Sequence, residues 1–249
     1  MSDDALFLYA LGLADDQLVL GHRLSEWSRR APTLEEELAL ANIALDLVGQ
    51  ATALYQLAAA AEGEGRSADD LAFLRDERAF LNLQLLEQPN GDFGCTVARQ
   101  LLYGAYAAVF WKALADSDEP GLAAIAAKAA TEARYHLTHA RAWTARLGDG
   151  TAESRRRIQA GFDDLWQFTG ELFERTPVEA SLGDAAPDRA ALKPAWDRAI
   201  DAALDEGGLQ RPADGWMATG GRSGLHGEHL GHMLAEMQVL QRSYPGLEW

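Results

Sequence analysis

The stretch Thr33-Leu34-Glu35-Glu36-Glu37-Leu38-Ala39-Leu40-Ala41-Asn42-Ile43-Ala44-Leu45-Asp46-Leu47-Val48-Gly49-Gln50 decides the fold class. Pro32 breaks the chain just before it, Thr33 offers a side-chain N-cap, and Glu36 follows at capping-box spacing, so a long helix is predicted to about Glu62. Towards the N-terminus, Leu6, Tyr9, Leu13, Leu20, Leu24 and Trp27 recur mostly at three- and four-residue steps, the period of an amphipathic helix over residues 5–30. Asp3 and Asp4 are its expected caps.

Beyond the decisive stretch, a polar turn at 63–69 leads into a shorter predicted helix over 68–87, and Pro89-Asn90-Gly91-Asp92 reads as a loop. Residues 96–115, with Tyr103, Tyr106, Phe110 and Trp111, predict a buried helix. Pro120 opens another that runs to Leu147, with Gly148 as its C-cap, and 151–175 forms a further one. Residues 177–193 read as a linker, 194–206 as helix, 207–224 as the loosest segment and 225–243 as the last helix. No segment alternates apolar and polar residues over a strand length, so the class is all-α. The most economical architecture is a single ferritin-like helical bundle over 1–249 with additional C-terminal helices.

Composition narrows the function. At 249 residues and 48 % hydrophobic, the chain is too apolar for disorder. Its net charge of −16 repels phosphate backbones and anionic membranes, so neither nucleic acid nor membrane is an expected partner. Coenzyme A thioesters are anionic too, and no basic cluster stands out to receive one. Cys95 is the single cysteine, which excludes an intrachain disulfide and suits a reducing cytoplasm. The sequence shows no positive leader and no apolar run of spanning length.

A di-iron carboxylate bundle needs a Glu from each of two helices and Glu-x-x-His from each of the other two. The residues three before His22, His136, His139, His226, His229 and His232 are Val19, Ala133, His136, Ser223, His226 and His229, none of them acidic. The usual iron constellation is therefore not encoded. Fragments of it remain in Glu132 and His136 at i,i+4, and in Asp46-x-x-x-Gln50, with Asp16 and Asp92 as further acids placed near the bundle centre. For Glu132 with His136 a mutual hydrogen bond is the leading expectation, and for Asp16 and Asp92 a capping or solvated role. His226, His229 and His232 diverge by about 120° from first to third at about 100° per residue, so they cannot share one ion. Cys95 reads as a passive thiol. Trp216, in the glycine-rich segment, and Trp249, at the end, are the expected interface anchors.

Four stretches carry a family resemblance: Leu20-Gly21-His22-Arg23-Leu24-Ser25-Glu26-Trp27, the run from Glu35 to Ala51, Asn90-Gly91-Asp92-Phe93, and the run from Gly224 to Gln238. Together they resemble the C-subunit family of bacterial phenylacetyl-CoA 1,2-epoxidases, multicomponent monooxygenases of aerobic phenylacetate catabolism. The resemblance implies a ferritin-like, non-catalytic structural subunit with no cofactor of its own. It implies a catalytic A subunit as partner, holding the di-iron site and the substrate, and a reductase subunit with FAD and iron–sulfur, fed by NADPH. No catalytic residue is carried over. A metal-dependent oxidase using Asp16, Asp46, Asp92, Glu132 and His136 in an atypical site, or an unrelated helical adaptor, stays open as an alternative.

Overall fold

The computed structural model describes residues 2–247, and among them every regular element is helical. Four long helices dominate: α1 (Asp3–Ser25), α2 (Leu34–Glu62), and, after the stretch 63–92, α5 (Phe93–Leu114) and α6 (Pro120–Gly148). They span about 33–44 Å at 1.5 Å per residue. Short connections join α1 to α2 and α5 to α6, and each pair packs along its length, so the bundle is two antiparallel hairpins with a crossover between them. The all-α class and the ferritin-like arrangement are both as the sequence suggested.

Local chemistry sets the ends. Thr33 accepts from Glu36 N as expected, but the Glu36 carboxylate turns to His139 Nε2 at 2.8 Å instead of closing a capping box. Ser2, not Asp3 or Asp4, caps α1; the two acids sit in its first turn, where they favour the helix dipole. Pro120 occupies the first turn of α6 behind an N-cap at Glu119. The core centres on α5, whose Val97, Ala98, Leu101, Leu102, Phe110 and Trp111 are buried between α6 and the later helices. These are α7 (Ala152–Leu165) and α9 (Arg189–Glu206). At Gly161 on α7 an added Cβ would stand 2.8 Å from Cys95 Cα, so the two helices approach through the missing side chain.

The crossover is not the single helix predicted over 68–87. It breaks into α3 (Ala68–Phe73), a 3-10 turn at Glu77–Ala79, an extended strap at 80–83 and α4 (Gln84–Glu87). The reason is tertiary: Asp15 Oδ2 accepts from Leu81 N at 2.8 Å and Asp16 Oδ1 from Leu83 N at 2.8 Å, bonds a helical strap could not offer. The 177–193 linker likewise contains α8 (Pro177–Leu182), capped by Thr176 and Glu179, and α9 starts before Pro194 because Asp188 supplies its N-cap. Residues 166–173 leave α7 as two 3-10 turns, and 207–224 is irregular but for a turn at Gly221–Ser223. The last segment divides into α10 (Glu228–Met237) and α11 (Val239–Ser243). Gly224, at φ 75°, lies where a Cβ would meet Arg78 O at 2.3 Å, so the C-terminal segment lies directly on the crossover.

The α2 helix corrects one expectation. An 18-residue window within it has a mean hydropathy of 1.3, apolar enough to match a membrane-spanning helix by length and composition, and 44 % of that window is buried inside the protein.

Asp15 is fully enclosed and is met by Arg75, by Tyr55 Oη at 2.5 Å and by Leu81 N. Arg75→Met would leave that carboxylate buried without its cation, and the expected loss is about 3–5 kcal/mol of unfolding free energy in urea titrations. A loss below about 1 kcal/mol would mean the pair does not hold the crossover.

Candidate functional site

The four long helices meet at a centre lined by the polar side chains Gln17 on α1, Gln50 on α2, Gln100 and Tyr103 on α5 and His136 on α6. Leu20, Leu47, Gly104, Ala107, Trp111 and Ala133 complete the wall. The remaining cavity volume is about 10 Å³, close to the least that a single water needs. Gln17 Nε2 donates to Tyr103 Oη at 2.7 Å, while the amide oxygens of Gln17, Gln50 and Gln100 are buried without a hydrogen-bond partner.

The expected Glu132–His136 pair does not form. His136 Nε2 lies 3.0 Å from Asp46 Oδ2, and Glu132 accepts from Gln50 Nε2 at 2.7 Å, so both bonds bridge α2 to α6. Burial pulls the His136 imidazole below its ordinary pKa, against the pull of Asp46. On α2 and α6 the residues at three-step spacing on the cavity wall are Leu47 with Gln50 and Ala133 with His136. Asp46 and Glu132 stand one residue earlier, about 100° round their helices, which turns them towards the bundle edge. Asp92 is not central either: it caps α5 by accepting from Cys95 N at 3.0 Å, with Arg157 3.6 Å away. Asp16, expected to be solvated or capping, is buried at mid-helix against Arg222 at 2.5 Å, and burial pushes its carboxyl up to about 6.

A family model described as phenylacetic acid catabolic protein matches residues 1–249. The C subunit of the 1,2-phenylacetyl-CoA epoxidase of Escherichia coli (strain K12) is 49 % identical over 246 residues, covering 98 % of this chain and 99 % of that protein. The chain belongs to the phenylacetic acid catabolic protein family.

In this family member the centre does not fit a di-iron group. Where two Glu and two Glu-x-x-His pairs would converge, the wall offers three neutral amides, Leu47, Ala133 and one imidazole. Among the described residues, no three of His, Cys, Asp and Glu are grouped to hold a metal ion. The acids and histidine of the atypical-site reading thus lie at three separate places: Asp46, Glu132 and His136 on the α2–α6 seam, Asp16 beneath the crossover, and Asp92 at the start of α5. Burial raises the Cys95 thiol pKa, which disfavours the thiolate. Trp216 is 74 % exposed on the irregular segment and so is free to meet a partner, whereas Trp249 lies outside the described residues.

Sequence reasoning missed the amides Gln17 and Gln100. The available signal was their register: both fall on the inward stripe of a long apolar helix, where a surface polar residue has no place. It also missed a buried polar layer beneath the C-terminal segment. Glu87 Oε2 meets His226 Nδ1 at 2.8 Å, Glu87 Oε1 accepts from Gly227 N at 2.6 Å, and Glu171 accepts from Gly221 N at 2.5 Å. His226 Nε2 lies 2.8 Å from Phe80 O, so both ring nitrogens face acceptors, which favours the protonated ring. Burial opposes that charge, but the bonds to Glu87 and Phe80 O outweigh it and raise the pKa.

A pKa raised on folding adds stability that is fully present below the unfolded value near 6.5 and is lost as pH rises through the folded value. His226→Gln is therefore expected to cost about 1.5–3 kcal/mol at pH 6, with the gap to the parent protein narrowing in alkaline buffer. Urea midpoints measured from pH 6 to 9 check this, and a gap that widens with pH would contradict the protonated ring.

Proposed function

We propose that this chain is the non-catalytic structural subunit of a phenylacetyl-CoA 1,2-epoxidase, acting in the cytoplasm beside a catalytic A subunit. The observation that carries the reading is the bundle centre. It keeps the ferritin-like frame but lines it with Gln17, Gln50, Gln100, Leu47 and Ala133, which supply no carboxylate to a metal. The 49 % identity to a C subunit across nearly the full length of both chains supports the assignment to that subunit type. In this reading the di-iron chemistry belongs to the A subunit, and NADPH, FAD and iron–sulfur to a reductase subunit.

The chain's own contribution is mechanical. A bundle with a neutral, closed centre folds without a metal, so its rigidity does not depend on the redox state of the complex. It can then hold a neighbour's helices in a fixed geometry while that neighbour turns over.

Reconstitution from separately purified subunits tests this. Substrate-dependent NADPH oxidation is expected to fall at least tenfold when this chain is omitted, and purified chain is expected to carry far less than one equivalent of iron or manganese. Unchanged turnover on omission would remove the supporting role. Stoichiometric metal lost on Glu132→Ala would instead establish the atypical oxidase.

A further inference from the structure

The α2 helix has a second apolar face that nothing among the described residues covers. Leu34, Leu38, Ala41, Leu45, Val48 and Thr52 follow one another at steps of four, three, four, three and four residues. Leu34, Leu38 and Leu45 are 67, 57 and 68 % exposed, and Val48 is 38 % exposed. That alternation averages about 3.5 residues, the spacing that keeps one seam facing a neighbouring helix, whereas the inward face of α2 already packs through Leu40, Ile43, Leu47 and Leu54. A helix apolar on both faces belongs in an interior, and here only one side of that interior is present.

The seam also has a socket. An open groove of about 280 Å³ lies between α1 and α2, apolar through Gly21, Leu24, Ala41, Ala44 and Val48 and lined also by Glu37 and two serines. Its floor is shaped by Gly21, where a Cβ would crowd Val48 Cγ2 at 3.1 Å. Burial lowers the pKa of His22, which disfavours a charged imidazolium in the groove.

Resting on the proposed function, we propose that the outward face of α2 is the docking seam for one long helix of the A subunit. That helix would place apolar side chains at three- and four-residue steps along the seam, set one large apolar side chain in the Gly21–Val48 groove, and carry lysine or arginine beside Glu35 and Glu37. Charge narrows the choice of occupant. The two acids flank the seam at the N-terminal end of α2, and the chain as a whole carries −16, which sets a second copy and an anionic bilayer at a disadvantage. Length agrees: the seam runs about 27 Å along α2 at 1.5 Å per residue, the span of a bundle helix and not of a short peptide.

Isothermal titration against the purified A subunit tests the seam. Leu38→Glu with Leu45→Glu is expected to weaken binding at least a hundredfold while the melting temperature of the isolated chain holds, because both side chains are exposed there. Glu35→Lys with Glu37→Lys is expected to weaken binding about tenfold in low salt, with the difference vanishing in high salt. Trp216→Ala is expected to cost less than fivefold. If the parent chain does not bind the A subunit, the proposed function fails, and this assignment of the seam with it. If it binds and the double glutamate variant binds equally well, the seam alone is overturned. Dimerisation of the isolated chain that Leu45→Glu abolishes in sedimentation, or retention on phosphatidylglycerol vesicles that the same change abolishes, would give the seam to a second copy or to a lipid surface and overturn the proposal.

Discussion

Two adjacent carboxylates, Asp15 and Asp16, hold the crossover to the bundle. They sit at mid-helix on α1, fully buried, and point about 100° apart. Asp15 takes the guanidinium of Arg75, the hydroxyl of Tyr55 and the amide of Leu81; Asp16 takes Arg222 and the amide of Leu83. The strap at 80–83 has no helical ladder, so its buried amides need these acceptors. Arg222 in turn donates to Gly12 O and Leu81 O at 2.7 and 2.8 Å, and so binds α1, the crossover and the C-terminal segment at one point. Apolar replacements of similar volume could be as stable, since burying two ion pairs carries a large desolvation cost. What the acids add is register: only one placement of the strap satisfies both carboxylates.

That distinction explains which parts of the structure were legible in the sequence. The hairpins α1–α2 and α5–α6 follow from period and caps, because each helix closes its own hydrogen bonds and its apolar stripe needs only a neighbour. The crossover did not follow. Residues 68–87 have helical composition, but the local preference is overridden by carboxylates more than 60 positions earlier in the chain. The same holds for His226, which looked like one of three spaced histidines. Its partners, Glu87 and Phe80, lie about 140 positions away in the sequence.

The centre was half legible. Counting acids before histidines finds no Glu-x-x-His, yet it singles out Asp46 and Glu132, which stand one residue off the inward register. The side chains that do face inward are amides, and an amide on a helix carries no sign of whether it is solvated or enclosed until the opposite helices are in place. Once placed, Gln17, Gln50 and Gln100 remove the mutual repulsion that four clustered carboxylates would bring to a site without metal. Their three unpartnered oxygens leave a smaller cost, of about 1–3 kcal/mol for each buried acceptor.

A neutral centre and an apolar exterior on α2 belong to one account. In a metal-binding bundle the ions tie four helices together from within, and the outer faces can stay polar. Here the inner tie is packing alone, with a residual cavity no larger than a water site, so the interior is already as closed as side chains allow. Nothing inside the chain calls for the leucines at 34, 38 and 45, whose exposure has a free-energy cost in isolation and gains only when another surface removes them from water. The hydropathy that makes α2 resemble a membrane span has its physical origin in these outward leucines added to the buried inward face of the same helix.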